Sequence, residues 1–143
     1  MLIRVLMLGK TRRPEIRALL DDYAARIRRF AELEMTELRE DSPAALRRID
    51  IAPGATVVLL DAGGQEYTSE QFARWLGACR DRGVRQIAFL CGAASGFPEA
   101  VARRATTKLS LSPLTFSHEL ARVMLAEQLY RAFATLAGHP YPK

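Results

Sequence analysis

Histidine and cysteine are scarce: the 143 residues include two of each, with three lysines and one tryptophan. Cys79 and Cys91 form no CxxC pair, which argues against a structural zinc site, and both are expected to be reduced packing residues. No other metal-ligand cluster stands out, so no metal is expected. No segment approaches the roughly 20 apolar residues needed to span a bilayer. The apolar start, residues 1–8, is too short for a signal-peptide core and lacks a small-residue cleavage site. It reads as a strand, and the protein as cytoplasmic. No Ser-His-Asp arrangement is visible. The glycine loop at 92–96 does not follow GxGxxG, and a P-loop lysine is missing, which disfavours a standard dinucleotide fold and an NTPase. Repeats, low-complexity tracts and linkers are absent, and the length suits one domain over 1–143.

Arginine is what the chain has in quantity. Lys and Arg total 21 against 16 Asp and Glu, a net charge of +5, and eighteen of the 21 are Arg. Arginine suits bidentate phosphate contacts and stacking on bases. Lys10, Arg12, Arg13, Arg17, Arg26, Arg28 and Arg29 crowd the first thirty positions. Singly, each fits a solvated helix face; together they favour a polyanionic partner.

Strands and helices alternate along the chain. A buried strand over 2–8 ends at Gly9. A helix from about 14 to 29 starts with Pro14 in its first turn. Its apolar stripe is Ile16, Leu19, Leu20, Tyr23, Ala24 and Ile27. Residues 33–39 read as a strand near an edge, and Ser42-Pro43 opens a short helix to about Ile49, with Arg47 and Arg48 exposed. A buried strand over 56–60 is ended by Asp61, followed by a tight loop at Gly63-Gly64. Ser69 can cap a helix over 70–82, which Gly83 stops. A strand over 85–91, a glycine-rich loop over 92–96 and a helix over 98–105 follow. A short strand over 108–111, a small-residue loop over 112–116 and a long helix over 118–137 complete the order. The alternation predicts an α/β domain with a mainly parallel sheet flanked by helices.

Ligands of open parallel sheets bind beyond the carboxyl ends of the strands. Three such ends are rich in small residues: Leu60-Asp61-Ala62-Gly63-Gly64, Gly92-Ala93-Ala94-Ser95-Gly96 and Leu111-Ser112-Pro113-Leu114-Thr115. Small residues let main-chain groups approach a ligand, so the three loops together suggest a cofactor held largely by backbone. Only His118 and His139 titrate near neutrality without perturbation. The last helix is apolar on more than one side (Leu120, Val123, Met124, Leu125, Leu129, Phe133, Leu136), interrupted by Arg122, Glu127 and Arg131. One side can cover the sheet, and the other suits a partner subunit.

The stretch from Leu109 to Phe133, LSLSPLTFSHELARVMLAEQLYRAF, followed by His139-Pro140-Tyr141, closely resembles the C-terminus of the RlmH family. These are SPOUT-class bacterial methyltransferases of pseudouridine N(3) in 23S ribosomal RNA. Val5-Leu6-Met7-Leu8-Gly9-Lys10 and Leu59-Leu60-Asp61-Ala62-Gly63-Gly64 are similar too, and element order agrees over nearly the whole chain. The resemblance implies a C-terminal trefoil knot, an exception to the rule against knots. It implies a homodimer with its cofactor pockets near the interface. Carried over residue by residue, the S-adenosylmethionine site falls on Leu60, Gly92, Leu111, Ser112, Pro113, Leu114, Thr115 and Phe116, in the same three loops. The implied substrate is an already isomerised uridine of large-subunit RNA, met in the assembled ribosome. Three positions depart from the family pattern: Ala93 replaces a second Gly, Ser117 replaces Pro before the helix, and the tail reads Tyr141-Pro142-Lys143 where a His usually follows Tyr.

Direct methyl transfer requires positioning, and the N(3) proton must leave before or during attack. His118 or Arg122 are the candidates near the reacting centre, with His139 and Tyr141 left by the altered tail. Arg12, Arg13, Arg17, Arg131, His139 and Tyr141 are candidate RNA contacts. In a dimer, one subunit could bind cofactor while the other grips RNA. The alternatives are a SPOUT enzyme acting on transfer RNA, a non-catalytic ribosome-binding relative, and a generic nucleotide-binding α/β module.

Overall fold

A computed structural model describes residues 1–39, 49–94 and 96–141. Five strands, β1 (Leu2–Leu8), β2 (Glu32–Leu38), β3 (Thr56–Glu66), β4 (Gln86–Cys91) and β5 (Thr107–Ser110), form one sheet in the order β2-β1-β4-β3-β5. Every pairing in it is parallel. The helices are α1 (Pro14–Ile27), α2 (Ser69–Asp81), α3 (Glu99–Ala102) and α4 (His118–Leu136). The short helix expected over 42–49, with Arg47 and Arg48, lies almost wholly outside the described residues.

β1 and β4 are almost continuously apolar because both sheet faces are covered. Alternation divides their side chains between two cores. Ile3, Val5, Met7, Ile87, Phe89 and Cys91 face the core built by α1, α2 and α4. Leu6, Leu8, Val57, Leu59 and Leu90 face the other, closed by Ile49 and Val101. The α1 stripe is nearly as expected, with Ile16, Leu20, Ala24 and Ile27 buried, whereas Leu19 is 44% exposed. β2 lies at the sheet edge, as its imperfect alternation suggested.

Three local expectations are corrected. Asp61 does not end β3, which continues to Glu66. Leu60 and Gln65 both pair with Leu109, so residues 61–64 bulge from the ladder and Gly63-Gly64 lie within the strand. Gly64 is required there, since a Cβ would sit 2.7 Å from the Lys108 carbonyl carbon. The cap of α2 is Thr68: its Oγ1 accepts the Gln71 N–H at 3.1 Å, and Gln71 Oε1 accepts the Thr68 N–H at 2.9 Å. Ser69 is the first helical residue and bonds Gln128 at 2.8 Å. Finally, the helix expected over 98–105 forms only over Glu99–Ala102. Gly83, at φ +83°, follows α2 as expected.

α4 lies between α1 and α2 on one face of the sheet. Ser117 caps it, its hydroxyl accepting the Leu120 N–H at 3.3 Å. The residue departing from the family pattern thus satisfies one of the helix's open donors. The helix begins at the carboxyl end of the strands and carries its first turn to the site.

Candidate functional site

The three small-residue loops converge. They line a cavity of about 240 Å³ at the carboxyl end of β3, β4 and β5. Leu60, Asp61 and Ala62 come from the β3 bulge, Gly92, Ala93, Ala94 and Gly96 from the loop after β4, and Leu111, Ser112, Leu114, Thr115 and Phe116 from the loop after β5. Seven of the eight expected cofactor residues line it, and Pro113 does not. Cys91, Leu109, His118 and Ala121 complete the wall.

Backbone constraints shape this cavity. A Cβ on Gly92 would lie 2.9 Å from the Gly96 Cα, so only glycine lets the loop fold back on itself. The Gly96 N–H closes that turn on the Ala93 carbonyl at 2.8 Å, with Gly96 at φ +79°. The Ser110 hydroxyl donates to the Ala62 carbonyl at 3.0 Å, tying β5 to the bulge. Ser112 Oγ accepts the Leu114 N–H at 3.0 Å and turns the last loop. Leu114 is left 72% exposed. Burial pushes the Cys91 thiol up to about 12, offset in part by Arg122. That thiol stays protonated at neutral pH and serves as packing.

A second, wider cavity of about 920 Å³ adjoins the first. Gly9, Lys10 and Arg12 line it from the turn after β1, Glu37, Leu38 and Arg39 from the end of β2, and His118 and Glu119 from α4. Ala93, Ala94 and His118 belong to both cavities. His118 therefore stands at their common wall.

Arg122, the other candidate for the reacting centre, lines neither cavity and is fully buried. Its Nη1 donates to Thr11 Oγ1 at 2.8 Å, and its Nη2 to the carbonyls of Leu8 at 2.8 Å and Gly9 at 2.9 Å. Burial lowers its pKa, opposed by Cys91, Glu37 and Glu119, and a guanidinium keeps its charge regardless. The residue grips the end of β1 from α4. Glu119 grips the same turn, accepting the Arg13 backbone N–H at 3.1 Å. Burial raises the Glu119 carboxyl, but backbone N–H bonds from Arg13 and Arg12, together with nearby His118 and Arg122, outweigh it and hold the group below its ordinary value. Sequence reasoning did not single out Thr11 and Glu119. No local signal marked them, because Thr11 lies in a basic stretch, Glu119 follows His118, and their partners lie over a hundred positions apart.

The candidate RNA contacts divide into two groups. Arg12 borders the second cavity, and Arg13 is exposed, 3.9 Å from Glu15. Arg17 is tied down, donating to Glu37 at 2.8 Å and the Thr11 carbonyl at 2.9 Å. Arg131, His139 and Tyr141 lie toward the opposite end of α4 from His118. The Arg131 guanidinium stacks 4.1 Å from the Tyr141 ring centroid and pairs with Glu127 at 2.8 Å. Tyr141 packs on Tyr130, and His139 edges against Phe30. Arg131 lies thirteen positions along α4 from His118, about 20 Å at 1.5 Å per residue, and His139 and Tyr141 follow the far end of the helix at Leu136. Among the described residues, no group of three or more metal-ligating side chains forms, and no helix is long and apolar enough to cross a membrane.

A family model described as a predicted SPOUT methyltransferase matches residues 1–142. The chain is 40% identical to the ribosomal RNA large subunit methyltransferase H of Geobacter sulfurreducens, with 99% of each chain covered. It is 43% identical to the protein of that name from Pelobacter propionicus, again over 99% of each. Among solved structures, a probable methylase family protein from Haemophilus influenzae superposes with a TM-score of 0.59 at 12% identity, over 99% of this chain and 72% of that one. A probable methyltransferase from Bordetella pertussis superposes with a TM-score of 0.58 at 13% identity, over 92% of this chain and 95% of that one. These structural likenesses concern the fold alone. With its parallel sheet, helices and matched sequence taken together, the chain belongs to the SPOUT methyltransferase family, in the branch of the large-subunit methyltransferase H proteins, and has that family's trefoil-knotted α/β fold.

Proposed function

We propose that this protein is an S-adenosylmethionine-dependent methyltransferase that methylates N(3) of a pseudouridine in 23S ribosomal RNA, acting as a cytoplasmic homodimer on the assembled ribosome. The observation that carries the reading is the common wall of the two cavities, where His118 faces both. Methyl transfer needs donor and acceptor compartments that touch at one point.

The first cavity suits the cofactor. Its wall combines main chain from three loops with apolar Leu60, Leu111, Leu114 and Phe116, and the carboxylate of Asp61 stands at its edge. The cradle at Gly92 closes if a Cβ is added, so close approach of backbone is built in. Leu60, Gly92 and the 111–116 loop would hold the cofactor. When bound, it supplies an electrophilic methyl carbon on a sulfonium. His118 is the side chain at the boundary able to take or relay the N(3) proton. Arg122 is a positioning residue, acting through the turn it grips.

Exposed Leu120 and Met124 on α4 give the dimer an apolar contact. Arg12, Arg13 and Arg17 supply phosphate contacts beside the second cavity. Arg131, His139 and Tyr141, remote from it in their own chain, would contact RNA elsewhere or across the dimer.

The test is transfer of labelled methyl to ribosomes and free large subunits from a strain lacking the endogenous enzyme, with transfer RNA alongside. Label mapped to a 23S pseudouridine is the expected result. Label on transfer RNA alone would replace the substrate, and no label together with no cofactor binding would overturn the enzymatic reading.

A further inference from the structure

The described residues leave an imbalance of charge around the second cavity. Its two carboxylates are already used internally. Glu37 accepts from Arg17 at 2.8 Å and from the Thr11 backbone at 3.3 Å, and Glu119 accepts from the Arg13 backbone at 3.1 Å. Lys10 and Arg12 face the same space, and neither side chain has an ion pair among the described residues. Among the described residues the rim therefore carries three basic side chains, Lys10, Arg12 and Arg39, and no described carboxylate pairs with Lys10 or Arg12.

The turn bearing Lys10 and Arg12 is held by four hydrogen bonds to α4. Arg122 donates to the Leu8 and Gly9 carbonyls and to the Thr11 hydroxyl, and Glu119 receives the backbone N–H of Arg13. Glu119 and Arg122 lie one helical turn apart or less on α4, next to His118. One helix turn thus sets the boundary residue and the cationic turn in a common frame. Such pre-organisation lowers the ordering cost of a polyanionic ligand.

We infer that the second cavity receives the acceptor nucleotide, with a flanking RNA phosphate held by Lys10 and Arg12 and their turn locked in register with His118 by Glu119 and Arg122. This rests on the methyltransferase reading above and adds to it the site of the acceptor and the element that holds its backbone. The ligand class is a nucleotide displaced from a helix or in a loop: a neutral base in the wide cavity and a phosphodiester at its rim. Glu119 and Arg122 are positioning residues, since each acts through its bonds to the turn.

The test uses the full chain and unmethylated ribosomes. In the Lys10→Ala/Arg12→Ala variant, KM for ribosomes is expected to rise about tenfold or more while kcat falls by less than about threefold. The dependence of log K on log salt should flatten by about 1.4, two contacts at roughly 0.7 each for a single strand. Glu119→Ala should raise KM in the same direction, and Glu119→Gln, which keeps an acceptor oxygen, should recover most of the loss. Adding Glu119→Ala to the double variant should cost less than about twofold more, because the turn then has lost both of its cations that line the cavity. Affinity for S-adenosylmethionine, titrated calorimetrically, should stay within about twofold throughout, which separates a lost grip from a collapsed fold. An unchanged KM and salt slope in the double variant would overturn the inference, as would an additive Glu119→Ala effect. If the wild type transfers no methyl group yet cosediments with ribosomes in a manner lost on Lys10→Ala/Arg12→Ala, the cavity assignment stands and the reaction does not. If it neither binds nor modifies ribosomes, both are overturned.

Discussion

Arg122 Nη2 donates to the carbonyl of Gly9 at 2.9 Å across 113 positions of sequence, bonding the last helix to the end of the first strand. The guanidinium is wholly buried, and its Nε finds no hydrogen-bond partner. This dehydrated cation is solvated by two carbonyls and a hydroxyl, with Glu37 and Glu119 near enough to favour its charge. Replacement by Met should leave those acceptors unsatisfied and cost about 3 kcal/mol or more. Arg122→Lys keeps the charge but not the planar fork, and should lose less. Denaturant midpoints at constant slope would measure both. A loss below about 1 kcal/mol for Arg122→Met would show that the turn relaxes freely.

Gly92→Ala should weaken cofactor binding. Its Cβ meets Gly96 backbone at 2.9 Å, and backbone gives way less readily than a side-chain tip. Overpacking of this kind costs about 1–3 kcal/mol, so the affinity for S-adenosylmethionine should fall about tenfold or more by calorimetric titration. Retention of full affinity would show that the loop has room.

Gly64→Ala should act on stability first. The added Cβ would stand 2.7 Å from the carbonyl carbon and 2.8 Å from the oxygen of Lys108, forcing β3 and β5 apart. A loss of about 1–3 kcal/mol in chemical denaturation is expected. Cofactor affinity should fall with it, because β5 leads directly into the 111–116 loop.

Glu119 makes the fold sensitive to acid. Its carboxyl is held below its ordinary value of 4.5 in the folded chain, with backbone N–H bonds and nearby His118 and Arg122 together outweighing the cost of burial. Its contribution to stability is therefore present above the unfolded pKa, near 4.5, and is lost as pH falls through the lower folded pKa. Glu119→Gln should remove this component, so the difference in stability between wild type and variant should narrow below pH 4.5. Denaturation midpoints from neutral pH downward would test this; a difference independent of pH would refute it.

Leu120 and Met124 are 44% and 42% exposed on α4. Replacing both by Glu places two carboxylates on the face assigned to the second subunit. The expected result is a monomer in sedimentation equilibrium, a weakening of association by about a hundredfold or more. An unchanged dimer would move the interface elsewhere.

The order of strands and helices, the α1 stripe and the three small-residue loops that converge on one cavity were legible in the sequence because each rests on local periodicity or on clustered small residues. The bulge in β3 was not. Asp61 and two glycines read as a stop, but Gly64 is small so that the strand can pass close to Lys108 and continue. Ser69 reads as the cap of α2 from sequence, but Thr68 takes that position, because its side chain completes a reciprocal pair with Gln71.

Arg122 shows the same division within the site. Its motif marked it as near the chemistry, and the sequence placed it in the first turns of an apolar helix. Whether it would face a substrate or the interior depended on where the end of β1 lies relative to α4, which no local pattern encodes. Composition and periodicity determine which segments form and which faces are apolar, because those follow from backbone geometry and burial over a few residues. The joining of Ala93, Ala94 and His118 into a wall between two cavities was decided by packing between segments far apart in the chain, since only the folded sheet brings the ends of its strands to one edge.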